Sequence, residues 1–264
     1  MVIGGRTVPH TPPWYQGPLA SFDTETTGVD VETDRIVSAA LVLQATPTAP
    51  ARTVSWLADP GVPIPDAARA VHGITDQRAR DFGRPPRVVV AEIARALAEQ
   101  ALAHVPLVVM NAPFDLTLLD RELRRHRGLS LADSLGRAEL LVLDPRVMDK
   151  YVDRYRKGRR TLTDLCAHYG VTLDGAHDAT ADATATLHLV RALGRRYAAP
   201  LGVLTPAELH LRQAVWHAAQ ARGLQSWFDR EGTQERVDFA WPLRPARCAC
   251  GRRLALDHRC EAAA

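Results

Sequence analysis

The chain has 264 residues, a length that suits one sizeable domain with an appendage. Hydrophobic residues make up 46% of the sequence, and the formal net charge of +3 is too small to demand a nucleic-acid partner by itself. The 4 cysteines do not form a disulfide framework, which favours a reducing compartment. No signal-peptide pattern opens the chain and no apolar run reaches membrane-spanning length, so we expect a cytoplasmic protein that does not enter the membrane.

The first predicted strand carries two carboxylates one residue apart. It runs from Leu19 to Asp23 and is followed by Glu25, after a Gly- and Pro-rich lead-in at 1–17. Positions i and i+2 of a strand point to the same face, so the two acids project side by side. Burying two unpaired carboxylates is costly, and a hard divalent cation removes that cost. The alternative is a polar turn that happens to follow a strand.

The segments that follow predict an α/β fold. Strands are expected at 35–43 and 52–57, and together with the first they favour an antiparallel meander at one edge of a sheet. A helix is expected at 86–103, followed by short buried strands at 106–110 and 139–143. The chain therefore alternates strands with helices after its first three strands.

Two later stretches place acids where helices begin. The strand at 106–110 runs directly into the sequence NAPFD, so Asp115 falls in the first turn of the next helix. The favourable helix dipole explains such an acid, but open α/β sheets also build their sites at strand ends. The sequence HDATADA opens a further helix, in which Asp178 is a plausible N-cap and Asp182 lies one turn inside.

Taken together, these stretches form an ordered set of motifs. They are FDTETTG at 22–28, VHGIT at 71–75, NAPFD at 111–115 and HDATADA at 177–183. In combination they resemble the DnaQ-like 3′–5′ exonucleases of the DEDDh group, over roughly residues 18–198. This group includes the proofreading subunit of bacterial DNA polymerase III, RNase T and oligoribonuclease. Met110 departs from the pattern, because a His often stands there in relatives, but that His is not one of the group's five active-site residues.

The resemblance implies a ribonuclease H-like mixed sheet flanked by helices and a two-metal active site. Asp23 would bridge two Mg²⁺ or Mn²⁺ ions, Glu25 and Asp182 would complete one coordination sphere, and Asp115 would hold the second ion. His177 would be the general base that takes a proton from the attacking water, a role common for histidine because the imidazole group ordinarily titrates near the working pH. The alternative role of His177 as a metal ligand is less favoured, because the oxygen-rich set suits Mg²⁺ without it.

The same motifs supply the expected substrate contacts. Threonine donors would bind the terminal nucleotide, apolar and aromatic side chains would pack on its base or sugar, and an Asn would orient its loop. The residues are Thr24, Thr26, His72, Ile74, Asn111 and Phe114. Single-stranded ends fit such a pocket because stacking on a base needs no sequence readout.

Beyond residue 200 the resemblance ends. Thr205 and Pro206 predict a helix start, and the helix is expected to run to Arg222, before Gly223. The aromatic residues of this segment favour packing onto the preceding domain over a platform for stacking bases. The tail offers four potential ligands at irregular spacing, so a structural Zn²⁺ site competes with a frayed basic tail. These ligands are Cys248, Cys250, His258 and Cys260.

We therefore divide the chain into four parts. They are a lead-in at 1–17, an exonuclease domain at 18–200, a mostly helical, aromatic-rich extension at 201–245, and a Cys/Arg-rich tail at 246–264. The leading hypothesis is a metal-dependent 3′–5′ exonuclease that releases nucleoside 5′-monophosphates from single-stranded DNA ends in repair or proofreading, alongside a DNA polymerase or repair complex. One alternative is an exoribonuclease or oligoribonuclease. The other is a non-catalytic module that binds nucleic acid or a polymerase, against which the intact set of five residues argues.

Overall fold

The computed structural model describes residues 12–246. Within this range the strands are β1 (Leu19–Thr26), β2 (Ile36–Gln44), β3 (Arg52–Leu57), β4 (Leu107–Val108) and β5 (Val142–Leu143). The helices are α1 (Asp66–His72), α2 (Asp76–Phe82), α3 (Pro86–Leu102), α4 (Asp115–Arg127), α5 (Leu131–Leu135), α6 (Pro145–Val152), α7 (Leu162–Tyr169), α8 (Ala179–Arg196) and α9 (Pro206–Glu231). None of these helices combines the length and the apolarity needed to span a bilayer.

One mixed sheet organises the chain, with the strands in the order β3-β2-β1-β4-β5. The central strand β1 pairs antiparallel with β2 and parallel with β4, and β4 pairs parallel with β5. The first three strands form the antiparallel meander that the sequence predicts. The predicted fold class, a mixed sheet flanked by helices and followed by a C-terminal helix, is confirmed.

The alternation of β1 decides which helix each of its side chains meets. Phe22 is buried in the core on the face covered by α3 and α4, whereas Leu19 is buried in the core under α8. The sequence predicted that the strand ends at Asp23. The strand instead continues to Thr26, so Asp23 and Glu25 both lie within it. Because side chains of a strand alternate, Asp23 and Glu25 share the α8 face, and the side chain of Thr24 points to α4.

Side-chain caps fix where the later helices begin. Asp178 accepts hydrogen bonds from the backbone N–H groups of Thr180 and Ala181, both at 3.0 Å, and so starts α8 where the sequence predicts. Thr161 and Thr205 close capping boxes at the starts of α7 and α9. Because Asp178 fixes the residue at which α8 begins, it also determines that Asp182 lies on the side of the helix that faces β1.

The C-terminal helix α9 is longer than its sequence suggests. It passes through Gly223 and ends only at Gly232, whose φ of 71° is the left-handed conformation typical of a helix C-cap. The predicted end at Arg222 is therefore wrong. Nothing lies within 4 Å of a Cβ built on Gly223, so this glycine marks no close approach and no turn.

The predicted packing of the aromatic extension holds for part of it. The ring of Trp216 stacks on Tyr151 at a centroid distance of 3.8 Å, and Trp241 is buried in the core with α4. Trp227 and Phe239 remain 46% and 40% exposed, so they contribute less to this packing. The extension is thus held to the preceding domain through Trp216 and Trp241.

Candidate active site

Three acids meet at the centre of the sheet. Asp23 and Glu25 come from β1, and Asp182 comes from the first turn of α8, which packs on the same face of the sheet. Each of the three offers an oxygen atom, and these atoms all lie within 4.8 Å of one another. Such a group of oxygen ligands can hold a hard divalent cation.

Asp115 approaches these three acids from the opposite face of β1 and, with them, completes the four-acid cluster that the sequence motifs predict. Its Oδ1 accepts hydrogen bonds from the Thr24 hydroxyl at 2.7 Å and from the Thr24 backbone N–H at 3.1 Å. Asp115 is the first residue of α4 and is only 4% exposed. Both donors of Thr24 are thus engaged within the protein, where they position Asp115 beside Asp23.

Burial makes the four carboxylates unusually weak acids, and repulsion from other acids of the cluster adds to this effect at Asp23 and Glu25. Burial, followed by repulsion from Asp115, raises the pKa of Asp23 well above its ordinary value. Burial and repulsion from Asp182 raise the pKa of Glu25 to about 7. Burial raises the pKa of Asp115 to about 7 even though the hydrogen bonds from Thr24 oppose this shift, and burial also raises the pKa of Asp182. The ionised cluster therefore needs a compensating positive charge.

Asp182 provides the observation that tests whether a metal ion fits. Its Oδ2 accepts a hydrogen bond from the backbone N–H of His177 at 3.2 Å. Its Oδ1 is buried and has no hydrogen-bond partner. A buried carboxylate oxygen without a partner, beside two further carboxylates, is the donor set that a divalent cation satisfies. The residues of the cluster fit such a metal ion.

His177 stands at the edge of the cluster, on the turn before α8. It is exposed, and its φ of 69° is uncommon for a residue other than glycine. With Glu25, His72 and Ile74 it lines a cleft of about 480 Å³, which we call the nucleotide cleft. Strained backbone of this kind often occurs at functional sites.

His72 and Ile74 form a compact corner of the nucleotide cleft. The Nδ1 atom of His72 accepts a hydrogen bond from the backbone N–H of Ile74 at 3.0 Å, and burial lowers the pKa of His72. A neutral imidazole ring and an aliphatic side chain therefore face the cleft together. This surface is suited to packing against a flat apolar ring.

The remaining predicted contact residues are partly engaged by the protein itself. The Thr26 hydroxyl donates to the carbonyl oxygen of Gly28 at 2.6 Å, and Asn111 Oδ1 accepts from the Arg146 guanidinium at 2.9 Å. Phe114 is half-buried against the core. The four tail residues predicted as zinc ligands lie outside the described residues: Cys248, Cys250, His258 and Cys260.

The structure adds one residue that sequence reasoning missed. Asp144, at the end of β5, is buried and accepts hydrogen bonds from the backbone N–H groups of Asn111 at 3.2 Å and Ala112 at 3.0 Å. Asp144 thereby holds the loop that leads into Asp115. The signal available in the sequence was its position directly before Pro145, since an N-cap followed by Pro at N1 is typical of a helix start.

The fold is that of a known class of exonuclease. The structure of E. coli exonuclease I in complex with a dT13 oligonucleotide matches it with a TM-score of 0.57 at 20% sequence identity, over 69% of this chain and 42% of that chain. At such low identity the match defines the fold, which is the ribonuclease H-like fold of the DnaQ-like exonucleases. The fold inferred from the sequence motifs is thereby confirmed.

The chain belongs to the RNase_T exonuclease family, which matches residues 21–190. It is 33% identical over 218 residues to a DNA polymerase III subunit epsilon-like protein of Rhodobacter capsulatus, covering 79% of this chain and 29% of that protein. It is 28% identical over 200 residues to a DNA polymerase III PolC-type of Lacticaseibacillus paracasei, covering 76% of this chain and 13% of that protein. The chain thus spans less than a third of the length of either relative. Family and fold together define a nuclease domain with an acidic cluster suited to metal binding.

Proposed function

We propose that this chain is a DEDDh-type 3′–5′ exonuclease that removes nucleoside 5′-monophosphates from single-stranded DNA ends with the help of Mg²⁺ or Mn²⁺. The observation that carries the proposal is the convergence of Asp23, Glu25 and Asp182, with one buried oxygen of Asp182 left without a partner. Asp115 lies near enough to Asp23 to raise its pKa by repulsion, so it is the fourth acid of the proposed site. A module that only binds nucleic acid has no need of four converging acids, because they repel phosphate.

The acids and His177 divide the chemistry between them. Asp23, Glu25, Asp182 and Asp115 would hold two divalent cations, which when bound neutralise the phosphate and lower the pKa of a coordinated water. His177 takes the proton from the attacking water, and its exposed position lets that proton pass to solvent. The hydrogen bond from the His177 backbone to Asp182 keeps the base and the acid cluster in a fixed relation.

The nucleotide cleft would receive the 3′-terminal nucleotide. A free single-stranded end can place its last base against His72 and Ile74, whereas a paired base is held in its stack. The preference for DNA is supported by two likenesses. The solved exonuclease I carries a dT13 oligonucleotide, and two relatives bear the names of DNA polymerase III proteins. These likenesses also support a role in repair or proofreading beside a polymerase.

The test uses single-stranded DNA and RNA of equal length, labelled at either end and incubated with Mg²⁺ or Mn²⁺. We expect a ladder that shortens DNA from its 3′ end, and a rate about 10²- to 10⁴-fold lower in His177→Ala, the range for loss of a general base. His104→Ala is the matched control, because His104 is also exposed with a positive φ, 54°, but does not line the nucleotide cleft.

Each other outcome changes a stated part of the proposal. Shortening from the 5′ end would contradict the direction, and cleavage of RNA alone would assign the chain to RNA turnover. Cleavage that His177→Ala leaves unchanged would remove His177 as the base. Absence of cleavage on both polymers with either metal would overturn the catalytic proposal.

A further inference from the structure

A second cleft, of about 550 Å³, lies between the NAPFD loop, α6 and the extension. Asn111 and Pro113 form its wall on the loop side, Arg146 and Lys150 form its wall on α6, and residues of α9 and of 235–245 close it. We call it the α6 cleft. Because Pro113 precedes Asp115 by two residues, this cleft borders the loop that carries one of the four acids.

Lys150 is the unusual residue of the α6 cleft. It is partly buried, and no acid within residues 12–246 forms an ion pair with it. Burial lowers the pKa of Lys150, and so do the charges of neighbouring arginines, foremost Arg160 and Arg146. A partly buried ammonium group that faces other cations is unfavourable unless an anion joins it.

Arg146 stands one helical turn before Lys150, so the two side chains are neighbours on α6. One guanidinium nitrogen of Arg146 donates to Asn111 Oδ1 at 2.9 Å, and no carboxylate of the described chain pairs with the group. Arg146 is exposed and keeps further N–H donors for another acceptor. Its bond to Asn111 joins the α6 cleft physically to the loop before Asp115.

Other charged groups also lie in or near the α6 cleft, and its lining includes the acids Asp30, Asp144 and Asp238. Asp149 is fully buried and binds Arg160 at 2.6 Å and Arg156 at 3.4 Å, so these two arginines serve the α6–α7 connection. Glu32 pairs with Arg121 at 2.9 Å. Glu235 is exposed and forms no ion pair within residues 12–246, so it is an acid that an incoming anion would meet.

We propose that Arg146 and Lys150 bind the phosphodiester backbone of the substrate strand, upstream of the nucleotide that is removed. The inference rests on the proposed function and extends it to the path of the strand. The two cations contact phosphates rather than base edges, so they add affinity without sequence preference. A strand seated here runs past the NAPFD loop toward Asp115 and the nucleotide cleft.

Chemical footprinting tests the contact without relying on turnover. Lys150 and Lys157 are the two lysines of the chain, and Lys157 is exposed and does not line the α6 cleft, so it is an internal control. The His177→Ala protein is acylated with and without a single-stranded DNA of about twelve nucleotides, and each lysine is quantified by mass spectrometry. We expect the oligonucleotide to slow modification of Lys150 about fivefold or more and to leave Lys157 unchanged. Equal protection of both lysines, or bound oligonucleotide with Lys150 unprotected, would overturn the inference.

Kinetics of matched variants give a second readout. In Lys150→Gln we expect KM for the same oligonucleotide to rise about tenfold with little change in kcat. We also expect the magnitude of the slope of log affinity against log salt concentration to fall by about 0.7, because one phosphate contact to a single strand is lost. The loss should grow with substrate length from a dinucleotide upward. Lys150→Arg should restore most of the affinity, and Lys157→Gln should behave as the parent.

Removal of an acid from the α6 cleft should have the opposite effect on substrate binding. Glu235→Gln removes an uncompensated acid from the α6 cleft, so KM for the oligonucleotide should fall by about two- to threefold. An unchanged KM in Lys150→Gln, while the parent enzyme cleaves DNA, would overturn the α6 contact and leave the proposed function standing. A parent protein that neither binds nor cleaves single strands would overturn both.

Discussion

Asp23 is the residue at which charge and burial conflict most strongly. It is held on the central strand with Glu25 on one side and Asp182 and Asp115 close by. Such repulsion between buried acids is tolerated where a bound cation compensates their charge. Without the cation, the repulsion lowers the stability of the folded protein. The consequences can be measured as stability as well as activity.

Asp23→Asn should separate these two quantities. The neutral amide relieves the repulsion, so without metal at about pH 8 we expect the free energy of unfolding to rise by about 1 kcal/mol, which is about 2–4 °C in Tm. Activity should fall by about 10³-fold or more, because metal contributions to phosphoryl transfer are worth several kcal/mol. Thermal unfolding measures the change in Tm, and cleavage of end-labelled DNA measures the change in activity. Asp81→Asn is the control, because Asp81 is exposed. A lower Tm for Asp23→Asn would mean that the acids are not in conflict.

The pH dependence of the metal-free protein follows from Glu25 and Asp115. Both have a pKa of about 7 in the folded state, above the ordinary values of 4.5 and 3.8. The folded state therefore binds more protons than the unfolded state in this interval, and the free energy of unfolding falls as pH rises from about 4 to 7.

Metal ions should reverse this trend, because they bind the deprotonated acids. With EDTA we expect Tm to decrease from about pH 5 to about pH 8, and with Mg²⁺ we expect most of that decrease to disappear while Tm at about pH 5 hardly changes. Differential scanning fluorimetry on the parent and on Asp23→Asn measures both. A stabilisation by Mg²⁺ that is equal at both pH values would show that the ion binds elsewhere.

The acids of the site could be predicted from sequence to the extent that local rules place them. The period of two along β1 puts Asp23 beside Glu25, and the N-cap before α8 places Asp182 one turn inside. The partner of Thr24 could not be predicted, because Asp115 lies 91 residues away and meets it only through the packing of α4. Whether the five residues act as predicted stays a prediction until the variants are measured.

At the scale of elements, α9 supplies side chains to β5, the strand at one edge of the sheet. The His210 Nδ1 atom accepts a hydrogen bond from the backbone N–H of Val142 at 3.0 Å. Gln213 donates to the Val142 carbonyl oxygen at 3.1 Å and accepts the backbone N–H of Asp144 at 2.7 Å. A helix thus satisfies backbone groups that β5 would otherwise leave open, which is one way in which edge strands are protected.

The contact between α9 and β5 could not be predicted from the sequence. Strand β5 is only two residues long, and nothing in the sequence of α9 indicates which strand it contacts. Gly223 also misled the prediction of the helix end, since a glycine inside a helix costs only about 1 kcal/mol and did not stop α9 from continuing to Glu231. Strand β3 and the start of α3 were predicted correctly because turn residues and Pro86 mark them directly.

Gln213→Ala tests the connection from α9 to the site. We expect a loss of about 2–3 kcal/mol in stability, because buried backbone groups of Val142 and Asp144 lose their partners. Asp144 then holds the NAPFD loop less firmly, so kcat should fall and the Mg²⁺ concentration for half-maximal activity should rise. Arg212→Ala, at the exposed neighbouring position, should leave all three unchanged. A destabilised Gln213→Ala with parental kcat and Mg²⁺ dependence would confine α9 to a structural role.

At the scale of the whole molecule, the extension contributes to both cores of the sheet. Leu209 is fully buried with the residues under α8, Trp241 is buried with those under α4, and Trp216 packs against both groups. These contacts lie on either side of β5, at the end of the sheet. The boundary at residue 200 was predicted from the sequence motifs, and these contacts indicate that residues on both sides of it fold together.

A chain ending at residue 200 is therefore expected to be severely destabilised. It loses the side chains of Leu209, Gln213 and Trp241, and large buried side chains are worth about 2–5 kcal/mol each against a total stability of about 5–15 kcal/mol. We expect a Tm lower by more than about 10 °C or an insoluble product. The reference is a chain ending at residue 246, which retains the described contacts of Leu209, Gln213 and Trp241. If the shorter chain instead matched the longer one in Tm and in the metal dependence of cleavage, residues 18–200 would be an autonomous exonuclease domain, and α9 would be an accessory that the active site does not require.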